Sequence, residues 1–286
     1  MDLSVIIINY NTKELTGQAV ASVRETAKSA SCEVIVIDNS SEPEERYQSV
    51  DEGVVVLDGV ENRGFGNACN LGAARAKGEY LLFLNSDAVV HAEAIDRTVG
   101  YLREHPEVGA LGIRMLLEDG TLDRGCKRGF PTPSASLYYF LGLDKKHPES
   151  RKYGAYHQTF LPDDQTAETD CVSGAYLMMP RSFFLELGGF DEIFFMYGED
   201  IDLCYRVKEA GRKVVYYADA SITHLKGASG LHSKSKEIIY HFHRAMKLFY
   251  RKHYWKKYNI FVSAAVYFGI WAKYRLALLT AKKAGS

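Results

Sequence analysis

Three carboxylates stand directly behind an aromatic cluster in the stretch FFMYGEDID, residues 194–202. Glu199, Asp200 and Asp202 lie next to large apolar side chains. A carboxylate is costly there unless it is solvated or takes part in a reaction. At the start of a helix the dipole favours the anion, and an ionised carboxylate can accept a proton from a hydroxyl group as a general base. In isolation the same acids favour a plainer interpretation, a helix capped by surplus acids.

Further polar residues follow the predicted strands. Asp38 comes directly after VIVI, Asp87 follows YLLFLNS, and the triplet Asn9, Tyr10 and Asn11 ends the first strand. A single Asp after a strand usually caps the next helix. Two of them, with Asn-Tyr-Asn at a third strand end, favour a shared pocket, because parallel sheets bind ligands beyond the carboxyl ends of their strands.

The stretch ENRGFGNACNLG adds backbone chemistry. Gly64 and Gly66 permit close approach of a ligand, and Asn67 and Asn70 offer amides on the first turns of a helix. A helix N-terminus with glycines suits a phosphate, although the spacing matches neither common phosphate-binding loop and small residues also allow close helix packing. With acids opposite, the predicted ligand is a diphosphate neutralised by a divalent metal. Oxygen donors such as Asp87 suit magnesium or manganese.

The elements that position these residues alternate regularly through the first hundred residues. SVIII, EVIVID, VVVL and YLLFLNSDAVV are predicted strands, with helical patterns between them. Apolar strands that alternate with helices predict an α/β fold with a mostly parallel sheet covered on both faces. From about Gly125 to Asp170 the pattern becomes irregular. A strand-like run, CVSGAYLMMP, and short helices then lead to KVVYY, another predicted strand.

Composition narrows the class of protein. The chain has 286 residues, 47% of them hydrophobic, and a formal net charge of −1, which does not indicate a nucleic-acid binder. Its five cysteines are scattered without a C-x-x-C pair, which favours reduced thiols in a cytoplasmic protein. The N-terminal MDLSVIIINYN is interpreted as a buried strand, because a signal peptide needs a basic start and a longer apolar core.

Together the motifs SVIIINYN, VIVIDNSS, ENRGFGNACNLG, GEYLLFLNSDA and GGFDE…GEDIDLCYR resemble a family 2 glycosyltransferase with the GT-A fold. The resemblance runs from about Leu3 to His224 in the family's order. RGFGNACNLG, LNSD and MYGEDIDLCYR are most similar to the branch with bacterial rhamnosyltransferases. The resemblance implies a GT-A domain over residues 1–239, with a nucleotide-binding half (1–105) and an acceptor-binding half (106–239).

The resemblance also implies the donor site and its cofactor. The nucleotide sugar would contact Tyr10, Asn11, Asp38, Asn62, Arg63, Gly64, Asn67, Asn85 and Asp87, with Tyr10 and Asp38 at the base. The family's D-x-D motif falls on Asn85-Ser86-Asp87, so Asp87 would hold a divalent metal (Mn or Mg) and the diphosphate, whereas Asn85 replaces the first acid. His224 matches a position that often completes the metal site. Without the resemblance, a single His is more often structural.

On the acceptor side, the resemblance assigns the catalytic base to Asp200 and an orienting role to Glu199. Ser173 and Gly174 would form the floor of the acceptor site. Tyr197, with its neighbour Phe195, would line it through an aromatic face, although both rings fit a core equally well. Asp202 does not share a helix face with Asp200 and is interpreted as a cap or a supporting group.

From Tyr240 the sequence becomes aromatic and basic, so residues 240–286 are predicted to form a helical appendage. Such helices suit an anionic lipid surface. The apolar run from Ile260 to Trp271 is too short to cross a bilayer, which needs roughly 20 residues. Packing on the catalytic domain or on a second subunit is an equal alternative, so a peripheral membrane contact and a homo-oligomer both stay open.

Three functions are compatible with these features. The first is an inverting, metal-dependent glycosyltransferase that transfers a sugar, rhamnose by the resemblance, from a dTDP-, UDP- or GDP-linked donor to a glycan or polyprenyl-linked acceptor in cell-surface polysaccharide synthesis. It would act in the cytoplasm, at the inner face of the membrane. The second is a sugar-nucleotide-binding module without turnover, suggested by Asn85. The third is a nucleotidyltransferase, disfavoured because NYNTKELTG lacks a glycine- and lysine-rich loop.

Overall fold

The computed structural model describes residues 1–49, 51–225 and 235–283; residues 284–286 of the predicted appendage lie outside this range. The apolar runs singled out above form strands, which in chain order are β1 (Leu3–Asn9), β2 (Cys32–Asp38), β3 (Val54–Leu57), β4 (Tyr80–Asn85), β5 (Ala88–Val90), β6 (Val108–Leu116), β7 (Lys127–Arg128), β8 (Ala167–Thr169), β9 (Cys171–Val172), β10 (Tyr176–Pro180) and β11 (Lys213–His224).

Helices connect these strands and form the C-terminal segment. They are α1 (Lys13–Thr26), α2 (Phe65–Arg75), α3 (Ala94–Glu104), α4 (Pro133–Phe140), α5 (Leu143–Lys146), α6 (Arg181–Glu186), α7 (Glu199–Glu209), α8 (Lys236–Phe249) and α9 (Ile260–Lys283). A single 3₁₀ turn at Pro43–Glu45 follows β2, and a π-helical turn at Tyr250–Tyr254 extends α8.

The main sheet has the strand order β3-β2-β1-β4-β10-β6-β11-β5, and β8 pairs with β11. The first four strands run parallel, β10 is antiparallel to both of its neighbours, and β11 is parallel to β6. The prediction of a mostly parallel sheet flanked by helices is therefore confirmed. Asn9 pairs with Asp38, and Ile8 pairs with Asn85. The ends of three strands therefore meet at one edge of the sheet.

The predicted single strand YLLFLNSDAVV is wrong in one respect: it forms two strands. β4 ends at Asn85, the chain turns at Ser86 and Asp87, and β5 then pairs antiparallel with β11 at the far side of the sheet. Three polar residues, Asn85, Ser86 and Asp87, interrupt the apolar run, and the backbone leaves the ladder there. CVSGAYLMMP divides in the same way, because Ser173–Ala175 separate β9 from β10.

Apolar side chains cover both faces of the sheet, as the uninterrupted apolar strands require. On one face α1 and α3 contribute Val20, Val23 and Ile95 to the core; on the other, α2, α6 and α7 contribute Ala68, Phe184 and Leu203. Each of these side chains is almost fully buried. The two faces fix the sheet between helices, and so fix the edge at which the polar strand ends meet.

The C-terminal helices pack on α7 and on the aromatic stretch before it. Phe194 and Tyr205 pack against Phe249 and Tyr254, and α9 then packs along α8. Within the described residues, no helix is both long enough and apolar enough to cross a membrane.

Candidate active site

The polar residues that end β1 and β2 form one hydrogen-bonded unit. Asn9 donates to the carboxylate of Asp38 at 2.7 Å and to Ser40 Oγ at 2.9 Å. Asp38 also accepts from the backbone N–H groups of Ser40 and Tyr47 and is only 1% exposed. Its carboxylate therefore fixes the loop after β2. The predicted contact of Asp38 with the nucleotide base stays a prediction.

Tyr10 and Asn11 lie above this unit and are half-buried. Asn11 has a positive φ of 54°, a conformation that Asn tolerates better than most residues. Its side chain donates to Ser41 Oγ at 2.8 Å and accepts from the N–H of Glu42 at 3.1 Å. Asn11 thus joins the end of β1 to the loop after β2.

Asp87 and His224, far apart in sequence, are brought together by the pairing of β5 with β11. His224 Nε2 lies 3.3 Å from Asp87 Oδ1, and His224 Nδ1 lies 3.1 Å from Asp123 Oδ2. All three side chains are at least 88% buried, with exposures of 12%, 7% and 4% for His224, Asp87 and Asp123. Burial alone would lower the pKa of His224, but its hydrogen bonds to the two carboxylates raise the pKa to about 9.

This group has the donor chemistry that a divalent metal requires. The part of the chain that the structure describes holds no cluster of three or more His, Cys, Asp or Glu side chains arranged around a metal position. A metal that displaces the Nε2 proton of His224 would find one imidazole nitrogen there and one carboxylate oxygen on Asp87. Asp123 supports the second ring nitrogen, as carboxylates commonly do behind metal-bound histidines. A metal that keeps few protein ligands takes the others from substrate phosphates and water. The residues therefore fit Mn or Mg.

The RGFG turn contacts the aromatic stretch that precedes α7. Gly64 has a φ of 100°, and a Cβ built on it would lie 2.2 Å from the carbonyl oxygen of Phe195. That oxygen also accepts from the N–H of Phe65 at 3.0 Å. Asn62 Oδ1 accepts from the Gly64 N–H at 3.1 Å, and Arg63 is exposed beside Glu61. Only glycine fits at position 64, because both the space and the backbone conformation exclude a side chain.

Asn67 and Asn70 do not present free amides. Asn67 donates to Glu192 at 2.9 Å, whereas Asn70 donates to Glu192 at 3.0 Å and to the carbonyl of Phe190 at 2.9 Å. These bonds lower the pKa of Glu192. Both amides thus join α2 to the GGFDE loop, and a donor contact for Asn67 stays a prediction.

Asp200 lies in a polar cradle at the start of α7. Its Oδ2 accepts from Nη2 of Arg128 at 2.7 Å and from the N–H of Gly174 at 3.2 Å. Asp200 and Arg128 are 13% and 18% exposed in their side chains. The negative charge of Asp200 outweighs the effect of burial and holds the pKa of Arg128 well above its usual value. Oδ1 accepts from the N–H of Ile201 at 2.7 Å and keeps a lone pair for a further partner.

Ser173–Ala175, which separate β9 from β10, connect this cradle to the end of β4. The N–H of Asn85 donates to the carbonyl of Ala175 at 3.2 Å, and Asp87 lies two residues beyond Asn85. The adjacent Gly174 donates to Asp200. Gly174 also lies between Asp200 and the ring of Phe65, since a Cβ on it would be 3.6 Å from each. Gly174 and Ala175 therefore connect Asp200 to the end of β4, two residues before Asp87.

Glu199 is buried beneath this cradle, 8% exposed, and its Oε2 has no hydrogen-bond partner within the described ranges. Burial, and next the charge of Asp200, raise its pKa to about 8. Glu199 is thus a neutral acid at neutral pH. It packs against α2 beside Gly66, and its predicted orienting role stays a prediction.

The remaining residues of the opening stretch contact the C-terminal helices. Asp202 is fully buried and binds Arg206 at 2.8 Å, Lys252 at 2.7 Å and His253 at 2.7 Å. Tyr197 is 38% exposed, and its ring lies 5.7 Å from that of Phe242 on α8. The predicted acceptor contact of Tyr197 stays a prediction, and its present neighbour is the appendage.

Comparison with known proteins decides the family. The family described as Glycosyl transferase family 2 matches residues 4–165. The chain belongs to this family. It is 30% identical over 233 residues to the O-antigen biosynthesis protein RfbC of Myxococcus xanthus, which covers 79% of this chain and 17% of RfbC. It is 26% identical over 260 residues to the N-acetylglucosaminyl-diphospho-decaprenol L-rhamnosyltransferase of Mycobacterium tuberculosis, covering 86% and 83% of the two chains.

A solved structure supports the fold of this family 2 chain. The mannosyltransferase PcManGT of Pyrobaculum calidifontis, in complex with GDP-Man and Mn2+, has a TM-score of 0.60 at 18% identity, covering 99% of this chain and 73% of that one. The resemblance to family 2, to its rhamnosyltransferase-like branch and to the GT-A fold is thus confirmed. The chain spans less than a fifth of RfbC, so what the longer relative does cannot be transferred whole.

Sequence reasoning missed two residues of this site. Asp123 lies just before the irregular stretch and Arg128 lies within it. No periodicity predicts the direction of a side chain there. A signal for Arg128 was its position in a short run, CKRGF, between apolar residues. Charge alone does not reveal which acid a cation will meet, so the partner Asp200 could not be inferred.

Proposed function

We propose that this family 2 protein is an inverting, metal-dependent glycosyltransferase that moves a sugar from a nucleotide-diphosphate donor to a hydroxyl of a glycan or lipid-linked acceptor in cell-surface polysaccharide synthesis. The observation that carries the proposal is the Ser173–Ala175 bridge, which joins the strand end before Asp87 to the carboxylate of Asp200. Rhamnose is the proposed sugar, because the mycobacterial relative is named as a rhamnosyltransferase.

Residues 1–105 form the donor half in this proposal. The nucleotide base of the donor lies beside Tyr10, Asn11 and Asp38, and the RGFG turn borders the ribose and phosphates. Asp87 and His224 would hold a divalent metal, which when bound would supply positive charge beside the diphosphate. Asn85 replaces an acid here and leaves only one carboxylate for the metal, with Asp123 supporting His224 from behind.

Residues 106–239 form the acceptor half and carry the catalytic base, Asp200. Asp200 accepts the proton of the acceptor hydroxyl while that oxygen forms a bond to the anomeric carbon and the bond to the diphosphate breaks. The electron pair of the broken bond leaves with the diphosphate, and the proton stays on Asp200. Arg128 and the Gly174 N–H hold Oδ2 in place, so the carboxylate needs no reorganisation during the transfer. Attack opposite the leaving group inverts the anomeric configuration.

An anionic lipid surface is the proposed partner of the C-terminal helices. One side of α9 packs on α8, whereas Phe261, Phe268 and Trp271 on α9 are 82%, 66% and 50% exposed. Phe268, Trp271 and Arg275 follow one another at helical spacing and share a face. Apolar rings with cations beside them suit the boundary between headgroups and acyl chains.

Exposed cations on the C-terminal segment strengthen the argument. Arg251, Lys256 and Arg275 are exposed, and Trp255 is 44% exposed with its ring 5.9 Å from Tyr267 on α9. A tryptophan with an apolar body and a polar edge suits the same boundary. The lipid surface would hold the catalytic edge near a lipid-linked acceptor.

The function is tested with purified full-length protein, a panel of dTDP-, UDP- and GDP-sugars, and manganese, magnesium or chelator. We expect one donor to raise the melting temperature only with metal, and the same donor to be hydrolysed or transferred. The variants Asp87→Ala and His224→Ala should lose the metal-dependent rise, and Asp200→Asn should retain it but lose turnover by about a hundredfold or more. Glu209→Gln, at the exposed far end of α7, is the control.

The alternative is a sugar-nucleotide-binding module without turnover, which the substitution at Asn85 favours. It predicts tight donor binding and no hydrolysis or transfer with any metal. Turnover that survives in Asp200→Asn would instead show that the base is assigned wrongly.

A further inference from the structure

A second exposed apolar surface lies in the acceptor half, at the end of α4. Leu137, Phe140 and Leu141 are 53%, 50% and 59% exposed. They follow one another three and four residues apart, so the helix end carries them on one face. Large apolar side chains that cluster in water mark a contact surface. Neither the donor site nor the catalytic carboxylate uses this face.

The face of α4 is continuous with the exposed face of α9. The ammonium group of Lys273 on α9 lies over the ring of Phe140, 4.3 Å from its centroid, and over the ring of Phe242 on α8, at 5.3 Å. Leu276 follows Lys273 by three residues and is 63% exposed, so it lies on the same side of α9 as this contact. One apolar surface therefore extends from α4 across Lys273 to α9.

Cations follow the apolar face of α4 directly in the chain. All lysines and arginines of residues 145–152 are exposed, whereas the segment holds a single acid, Glu149. The cations are Lys145, Lys146, Arg151 and Lys152. Leucine and phenylalanine side chains with lysines and arginines beside them suit the boundary between acyl chains and anionic headgroups. A second copy of the chain would instead bring two sets of these cations into one interface, where like charges repel.

The contacts of α4 place this surface on the acceptor half. The helix begins five residues after Arg128, which binds Asp200. The ring of Tyr139 on α4 lies 5.1 Å from that of Tyr156, and the carbonyl of Tyr156 accepts from the N–H of Gly129, next to Arg128. The helix α4 therefore packs on the segment that carries the partner of the catalytic carboxylate.

From this surface we propose that α4 and the segment after it dock on the same anionic bilayer surface as α9. Leu137, Phe140 and Leu141 enter the acyl boundary, and the cations of residues 145–152 bind lipid phosphates. Two contacts with one surface strengthen each other, because the second forms at a high effective concentration. The inference rests on the lipid partner proposed for α9 and extends that partner to the acceptor half.

Flotation of the full chain with vesicles tests this contact. We expect the double variant Phe140→Glu, Leu141→Glu to lower partitioning onto vesicles of phosphatidylglycerol and phosphatidylcholine by about tenfold or more. Lys145→Gln, Lys146→Gln should lower it by about tenfold as well, and should leave binding to phosphatidylcholine alone unchanged. Leu185→Glu on α6, where the leucine is 48% exposed, should bind as wild type.

A depth measurement separates insertion from proximity. Leu141→Trp and Leu185→Trp each add one tryptophan to Trp255 and Trp271 of the chain. Phosphatidylglycerol vesicles with brominated acyl chains should quench the added emission of Leu141→Trp and leave that of Leu185→Trp unquenched. The lysine variant changes only exposed side chains, so it reports binding even if Phe140→Glu, Leu141→Glu fails to fold.

Three results would overturn the inference. The first is a wild type that floats while both the apolar and the lysine variant float equally well, and the second is equal quenching of the two added tryptophans. Either contradicts the α4 contact alone, whereas a wild type that does not float also contradicts the lipid partner of α9. The third is a wild-type dimer that Phe140→Glu, Leu141→Glu dissociates without any flotation, which would assign the face to a second copy.

Discussion

Nη2 of Arg128 and Oδ2 of Asp200 form a 2.7 Å ion pair between a two-residue strand and the first turn of α7. The pair joins segments 72 residues apart in sequence. The N–H of Gly174 binds the same carboxylate oxygen, so Oδ2 is held from two directions, whereas Oδ1 accepts only from the N–H of Ile201 and keeps a lone pair available. The arrangement fixes the carboxylate that the proposed transfer uses.

Replacing Arg128 should lower turnover without weakening donor binding. In Arg128→Met the carboxylate loses its charged partner, and we expect kcat to fall by about a hundredfold, with the KM for the donor unchanged. Arg128→Lys keeps the charge but not the planar fork and should recover part of the loss. Steady-state kinetics with the donor found by thermal shift supply both constants. Equal changes in KM and kcat in both variants would indicate a general loss of structure instead.

Glu199 should make the protein less stable as the pH rises. The pKa of this buried acid is raised from 4.5 to about 8, so the folded protein keeps a proton that the unfolded chain releases. The free energy of unfolding therefore falls between about pH 5 and pH 8. Glu199→Gln imitates the neutral acid, and its melting temperature should match wild type at pH 5 and exceed it at pH 8.

The control for this experiment is Glu186→Gln on α6, an exposed acid whose effect should not depend on pH. If the melting temperature of Glu199→Gln exceeded that of wild type by the same amount at pH 5 and pH 8, Glu199 would be ionised in the folded protein. The assignment of a neutral, loop-orienting acid would then be wrong.

Asp202 should stabilise the junction between α7 and the C-terminal helices. It is fully buried, and its bonds to Lys252 and His253 outweigh burial and lower its pKa from 3.8 to about 2. We expect Asp202→Asn to lose about 3 kcal/mol of unfolding free energy at pH 7, since breaking a buried ion pair strands its partners. A lowered pKa stabilises the folded protein at pH values above the ordinary pKa of the group. The difference in unfolding free energy between wild type and Asp202→Asn should therefore shrink as the pH falls from about 4 towards 2.

Urea unfolding of wild type and Asp202→Asn across this pH range provides the measurement. Glu209→Gln removes only an exposed ion pair with Lys257 and should change stability by less than about 0.5 kcal/mol. A loss in Asp202→Asn no larger than in this control would show that the appendage is held by its aromatic contacts alone.

The exposed face of α9 should bind anionic vesicles. We expect the full chain to float with vesicles of phosphatidylglycerol and phosphatidylcholine, less with phosphatidylcholine alone, and less at high salt. The double variant Phe268→Glu, Trp271→Glu should not float, whereas Leu71→Glu, an equally drastic change at an exposed site on α2, should float like wild type. Sedimentation of a wild-type dimer that the α9 variant dissociates, without flotation, would assign the face to a second copy of the chain.

Local pattern alone determined much of this protein. Uninterrupted apolar strands between helical segments require a sheet covered on both faces, and parallel strands bring their carboxyl ends to one edge. The sheet therefore brings together the strand ends at Asn9, Asp38 and Asn85, as their positions in the sequence indicated. The motifs around them placed the chain in its family, because their order and residue types are specific.

Long-range contacts decided the rest. Asp87 meets His224 only because β5 leaves β4 and pairs with β11, and nothing in the run YLLFLNSDAVV shows that its two halves join different neighbours. Arg128 reaches Asp200, and Asp202 reaches Lys252 and His253, through segments without periodicity. Residue type and spacing fix which face a side chain takes on its own element, whereas the partner of a buried charge depends on how distant elements pack, which only the tertiary structure determines.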